Sequence, residues 1–260
     1  MTRTPTWKKK FIVLMMAAII LGSTRIGSAQ DFTVKLDRIR LGFLTTEKQP
    51  GLGTIVSGPE PRLSMTEGDP VYLRLRDHLL AGVKEYAVYR FAGEVRHPRS
   101  KKPLGRLVEG IGIIEIEQEN FPYTKGVIRR SLSEASPGDW IAPIEIPSKS
   151  TSRGESSRVP QKVSGTIVAL RANRLGVAEG DIVYLDIGSQ QGISAGDRFY
   201  AFGAGAEYSG MSVPKGSGEE GRILAELVVV STQNTSSTAR VGKSVSELTL
   251  GTPVESAVGP

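Results

Sequence analysis

Histidine, the side chain most often used as a general base, occurs only at His78 and His97 in 260 residues, and cysteine does not occur. Neither histidine has a second histidine or an acid at metal-ligand spacing. No Gly-x-Ser-x-Gly elbow is present to offer either one a nucleophile. The lack of cysteine removes thiol catalysis and thiolate metal sites. Gly216-Ser-Gly218-Glu-Glu-Gly221 matches a dinucleotide fingerprint as a string. That chemistry needs glycines opening a helix whose N-terminus meets a pyrophosphate. Here Arg222-Ile-Leu224 begins a strand, and Glu219 and Glu220 repel phosphate, so the string reads as a hairpin loop. Glu115, Glu117 and Glu119 share one strand face, from which paired carboxylates could cleave a glycoside. Their alternation with Ile114 and Ile116 instead reads as a solvated face. The expectation is a non-enzymatic chain with no catalytic, metal-binding or cofactor-binding residue.

Binding chemistry is better represented. Arg96, Arg99, Lys101, Lys102 and Arg106 form a basic cluster, four of them in one loop that also carries His97. The ordinary reading is a solubilising hairpin tip. In an exported protein the same cluster would meet an anionic glycan or envelope polymer. Tyr72 and Tyr184 stand at equivalent places, each on the strand face opposite a valine, Val71 or Val183. They mark either a partner-binding face or a face that the barrel itself covers. The candidate partner-binding residues are therefore Arg96, His97, Arg99, Lys101, Lys102, Arg106, Tyr72 and Tyr184.

The elements that must position these residues are written twice. Residues 53–75 and 165–187 share 12 of 23 ungapped positions, where average usage gives about one or two. Gly53-Thr-Ile-Val56 recurs as Gly165-Thr-Ile-Val168, Glu67-Gly-Asp69 as Glu179-Gly-Asp181, and Val71-Tyr-Leu73 as Val183-Tyr-Leu185. Further blocks follow: Tyr86-Ala-Val-Tyr89 with Phe199-Tyr-Ala-Phe202, Gly105-Arg-Leu-Val108 with Gly221-Arg-Ile-Leu224, and Ser131-Leu-Ser-Glu134 with Ser244-Val-Ser-Glu247. In the first copy Val71, Leu73 and Leu75 alternate with Tyr72 and Arg74, the period of a half-buried strand. Glu-Gly-Asp is turn chemistry leading into it. Residues 111–116 and 223–230 are β-branched runs suited to central strands.

Each copy is thus expected to fold as five or six short strands closed into a small barrel or sandwich. The fold class is all-β: two tandem modules, residues 53–143 and 164–255, joined by a flexible Ser- and Pro-rich linker at 144–163. Residues 92–103 and 203–220 read as one equivalent loop in each copy. Residues 30–52 form an extension that could open with a strand at 32–36, and 256–260 form a tail.

The first 29 residues read as a cleavable signal peptide. Lys8, Lys9 and Lys10 precede an 11-residue apolar run, and Gly27-Ser-Ala29 offers small residues at a cut. The run falls short of the roughly 20 residues a spanning helix needs, so membrane attachment is expected only through an uncleaved leader. Five of the 33 basic residues and none of the 27 acidic ones lie in that leader. The formal charge of +6 thus falls to +1 in the mature chain, which excludes an obvious nucleic-acid footprint.

Glu-Gly-Asp-x-Val-Tyr-Leu, Tyr89-Arg90, His97-Pro98, Leu104-Gly105 and the closing Gly138-Asp139 resemble a β-rich module of bacterial envelope proteins. That module is found beside lysin-motif (LysM) peptidoglycan-binding domains. The pattern is also similar to the C-terminal domain of flagellar assembly protein T. The resemblance implies a periplasmic or outer cell-envelope protein that binds an envelope assembly or peptidoglycan. The alternatives it leaves are a cell-wall hydrolase or accessory, and a flagellar or secretion-system ring component. The chain has no lysin motif, and its second copy lacks the His-Pro element and closes with Gly251-Thr252.

Overall fold

The computed structural model describes residues 35–48, 51–58, 63–120, 122–144, 162–203 and 222–257. The expected leader, the linker residues 145–161 and residues 204–221 of the second copy's loop lie outside these. The described fold is all-β, with two β-modules. In the first, β2 (Gly53–Ser57), β3 (Pro70–Leu75), β4 (Glu85–Arg96), β5 (Pro103–Gln118), β6 (Thr124–Ser131) and β7 (Trp140–Pro143) pair antiparallel in the order β5-β4-β7-β2-β3-β6. A β5–β6 pairing joins the two ends of that order. A seventh strand, β1 (Phe43–Thr45), adds to the outer half of β5.

The second module is a closed barrel of β8 (Ser164–Leu170), β9 (Ile182–Leu185), β10 (Arg198–Phe202), β11 (Ile223–Thr232), β12 (Ser237–Ser244) and β13 (Pro253–Ser256). Its order, β10-β11-β12-β9-β8-β13, is that of the first ring element for element. Alternation sends one side chain in two inward. Ile55, Val71, Leu73, Val88, Ile114 and Ile141 fill one interior; Ile167, Val183, Leu185, Ala201, Leu227 and Val254 fill the other.

One turn design recurs five times and brings strands back into each ring. Gly68, Gly138, Gly180, Gly196 and Gly251 hold φ between +88° and +95°, a conformation that favours glycine. The next residue folds its side chain back onto the backbone N–H three positions earlier. Asp69, Asp139, Asp181 and Asp197 accept from Thr66, Ser136, Ala178 and Ser194 at 2.8–3.1 Å, and Thr252 accepts from Thr249 at 3.3 Å. Asp139 also accepts from Nε and Nη2 of Arg90, both at 2.7 Å, and this pairing raises the Arg90 pKa. The second copy, with Gly203 and Thr252 at those two positions, lacks both partners together.

The structure corrects three sequence expectations. Gly112 opposes Ser131 as Ala225 opposes Ser244, so Gly110 rather than Leu107 is the counterpart of Ile223. The matching Gly-Arg-Leu and Gly-Arg-Ile strings sit three residues out of structural step. Residues 92–96 are not loop but the end of β4, which runs with β5 as a ribbon beyond the ring; only 97–102 turn. Residues 35 and 36, expected in an opening strand, are helical through residue 41, while 32–34 lie outside the described residues. Leu36 and Ile39 of this helix pack on Ala87 and Ile113, outside the first ring.

Candidate partner-binding surface

The β4–β5 ribbon and the N-terminal segment reach from the first module onto the second. Leu44, Val95 and Leu107 are buried against Val168, Ala169, Ile182 and Tyr184, with Leu41 and Leu104 at the margin. Three polar contacts surround this apolar patch. The Tyr184 hydroxyl donates to Leu41 O at 2.9 Å, Thr238 Oγ1 donates to Gly42 O at 3.1 Å, and Ala172 N–H donates to Glu109 Oε1 at 3.0 Å. Gly42, at φ +63°, permits the close approach: a Cβ there would stand 2.5 Å from Val108 O and 2.7 Å from Tyr184 Oη.

His97 closes the junction at the ribbon tip. Its Nδ1 accepts from the N–H groups of Arg99 and Ser100, both at 3.2 Å, so Nε2 carries the proton of the neutral ring. Nε2 lies 3.2 Å from Asp186 Oδ2, and Asp186 Oδ1 accepts from Thr166 N–H at 2.6 Å. Each partner side chain is thus oriented by backbone N–H groups of its own module.

The candidate residues separate into four settings. Arg96, Arg99, Lys101 and Lys102 are exposed around the tip; Arg96 lies 3.8 Å from Glu94, and Lys101 holds φ +59°. Arg106 is directed away along the ribbon. Its guanidinium stacks 3.5 Å from the Phe91 ring centroid and donates to Glu47 O and Lys48 O at 2.6 and 2.7 Å. His97 and Tyr184 belong to the junction. Tyr184 is 1% exposed, and burial foremost, with the Glu109 charge adding, raises its pKa. Tyr72, its counterpart, stays half-buried on an outer face opposite Lys125. The two equivalent tyrosines therefore have unlike surroundings.

The sequence reading missed Asp186, Glu109, Thr238 and Gly42. A signal existed for Asp186: it replaces Arg74 of the first copy, just as His97 is unmatched in the second. The glutamates of β5 face cross-strand cations, with Glu115 at 2.6 Å from Arg129 and Glu117 at 3.1 Å from Lys125. Beside Ala172 lies a cavity of about 240 Å³, whose wall carries the Arg174–Asp181 ion pair at 2.9 Å. Among the described residues, no group of three or more His, Asp or Glu side chains is placed to hold a metal ion, and no helix is long and apolar enough to cross a membrane. No protein-family model matches the chain, and no curated protein matches it.

Proposed function

We propose that this chain is an exported, non-enzymatic structural or adaptor protein of a bacterial cell envelope, and that it docks on an envelope protein assembly or on anionic wall glycan. The observation that carries this reading is the tip at 96–102. It holds four exposed cations where the ribbon of one module meets the other. The leader-like first 29 residues support export, and the tip gathers cations on a remainder whose charges otherwise nearly balance. The two modules, joined by an apolar patch and the polar contacts around it, present their surfaces at a set spacing. A second contact therefore forms at high effective concentration.

Co-sedimentation of residues 30–260 with purified peptidoglycan sacculi across a salt series tests this. Binding should weaken with salt as exposed charges are screened. Replacing Arg96, Arg99, Lys101 and Lys102 together by Glu should weaken it by more than about tenfold. Equal binding by this variant would exclude the tip. No binding at any salt would exclude the glycan and leave the protein assembly as partner.

A further inference from the structure

The cavity beside Ala172 is lined by a cation that the fold does not use. Its volume is about 240 Å³, and its lining includes Arg171, Ala172, Arg174, Val177, Asp181 and Ile182. Val177 and Ile182 are buried and supply the apolar part of that lining. Arg174 pairs with Asp181 at 2.9 Å, and the second oxygen of Asp181 accepts from Ala178 N–H at 3.1 Å. This carboxylate is therefore committed to its turn. Arg171 is half-buried and has no hydrogen-bond or ion-pair partner among the described residues. Two arginines against one aspartate leave the lining with one uncompensated positive charge.

The ring itself does not require that cation. At the constant offset of 112 the first copy carries Pro59 and Glu60 in place of Arg171 and Ala172, and it builds the same strand order without an arginine there. Ala172 holds φ +56°, a left-handed conformation uncommon outside glycine. Its N–H donates to Glu109 Oε1 of the first module at 3.0 Å. Strand β5 thus fixes the turn that carries Arg171. A ligand meeting a side chain on a fixed turn has less ordering to impose.

Size and charge define what the cavity takes. It is smaller than the roughly 300–1,000 Å³ of pockets for drug-sized ligands, so it suits a small molecule or an end group. A guanidinium matches a carboxylate through two parallel hydrogen bonds. A phosphate dianion would carry more negative charge than one free guanidinium offsets, beside the carboxylates of Asp181 and Glu109. We infer that this cavity is a binding site for a carboxylate on a short apolar body, with Arg171 taking the carboxylate and Val177 and Ile182 meeting the apolar part. The C-terminus of a peptide and a free short-chain acid both present that chemistry. The site lies further along β5 than the cationic tip and does not rest on the docking proposed above.

Amide NMR titration of residues 30–260 with acetyl-alanyl-alanine, its C-terminal amide, butyrate and inorganic phosphate tests the site. The expected result is saturable shifts at residues 171–182 and 109 with at least one of the two carboxylates, and none with the amide. A tighter response to the dipeptide would assign the site to a peptide C-terminus, and a tighter response to butyrate to a free acid. Arg171→Gln should weaken the response by more than about tenfold. Because Arg171 has no partner to lose, this variant should keep the wild-type thermal midpoint, and Arg171→Lys should retain part of the binding. Absence of saturable shifts with both carboxylates would overturn the inference. So would an equal response to the amide, phosphate bound as tightly as either carboxylate, or a folded Arg171→Gln that binds like the wild type.

Discussion

His97 of the first module and Asp186 of the second face each other at 3.2 Å, and each occupies a position at which the other copy carries something else. Each is aimed by its own backbone: His97 by two N–H groups on Nδ1, Asp186 by Thr166 N–H on Oδ1. The copies have diverged in a complementary way, one into a plug and the other into its socket.

A double-mutant cycle on this pair should give a coupling of about 0.5–1 kcal/mol, the range of a close polar contact at a partly solvated site. Asp186→Ala alone should cost more than His97→Ala, because it strands the part-buried Thr166 N–H, whereas the Arg99 and Ser100 N–H groups released by His97→Ala are exposed to water. Denaturant unfolding of the four proteins measures the coupling. A value of zero would mean that the contact adds nothing to the junction.

Gly42→Ala should be far more damaging than Gly68→Ala, although both glycines have positive φ. Nothing lies within 4 Å of a Cβ at Gly68, so strain of about 1 kcal/mol is the whole cost there. At Gly42 the methyl group also collides with Val108 O and Tyr184 Oη, which should bring the loss to about 3 kcal/mol. Faster hydrogen exchange at residues 41–45 and in β9 would show that the junction, rather than either ring, had opened.

Tyr184 gives the junction an alkaline limit. Its phenol is raised above the ordinary 10.0 because burial disfavours the charged form. A raised folded-state pKa means that the folded protein holds the proton more tightly than the unfolded chain. The contribution is therefore complete below pH 10 and is lost as pH rises toward the folded value. Tyr86, raised mainly by burial, adds in the same sense. Stability measured by denaturant between pH 8 and 11 should fall less steeply above about pH 10 for Tyr184→Phe than for the wild type. At neutral pH the variant should lose about 1 kcal/mol, with Leu41 O left without its donor. Parallel curves would place the titration elsewhere.

Much of the fold was legible because its causes are local. Alternation at 71–75 and 183–187 reports which side chains enter a core, and the Gly-Asp pairs report turns that only a positive φ and a short acceptor can make. Both recur at fixed spacing, so the duplication and the strand content could be read directly. The similar strings at 105–108 and 221–224 misled by three residues. Hydrogen-bond register follows strand pairing and bulges, and letter identity within one strand does not reveal it.

The candidate surface was legible only in part. The basic tip stands exposed as its charge suggested, whereas Arg106 is spent on holding Glu47 and Lys48. For Tyr72 and Tyr184 the chain presents the same letters in the same strand context, and their environments differ because the ribbon packs on the wall of Tyr184, whereas Tyr72 stays half-buried.

The sequence by itself determined two copies of an all-β module, their inward faces and their turns, since these follow from side-chain period and backbone conformation over a few residues. Only the tertiary structure decided that the ribbon of one ring would cap the opposite wall of the next. Burial at an outward-facing position depends on a surface contributed from more than 70 residues away in the chain, Val95 and Leu107 against Ile182 and Tyr184, and no local pattern encodes that meeting.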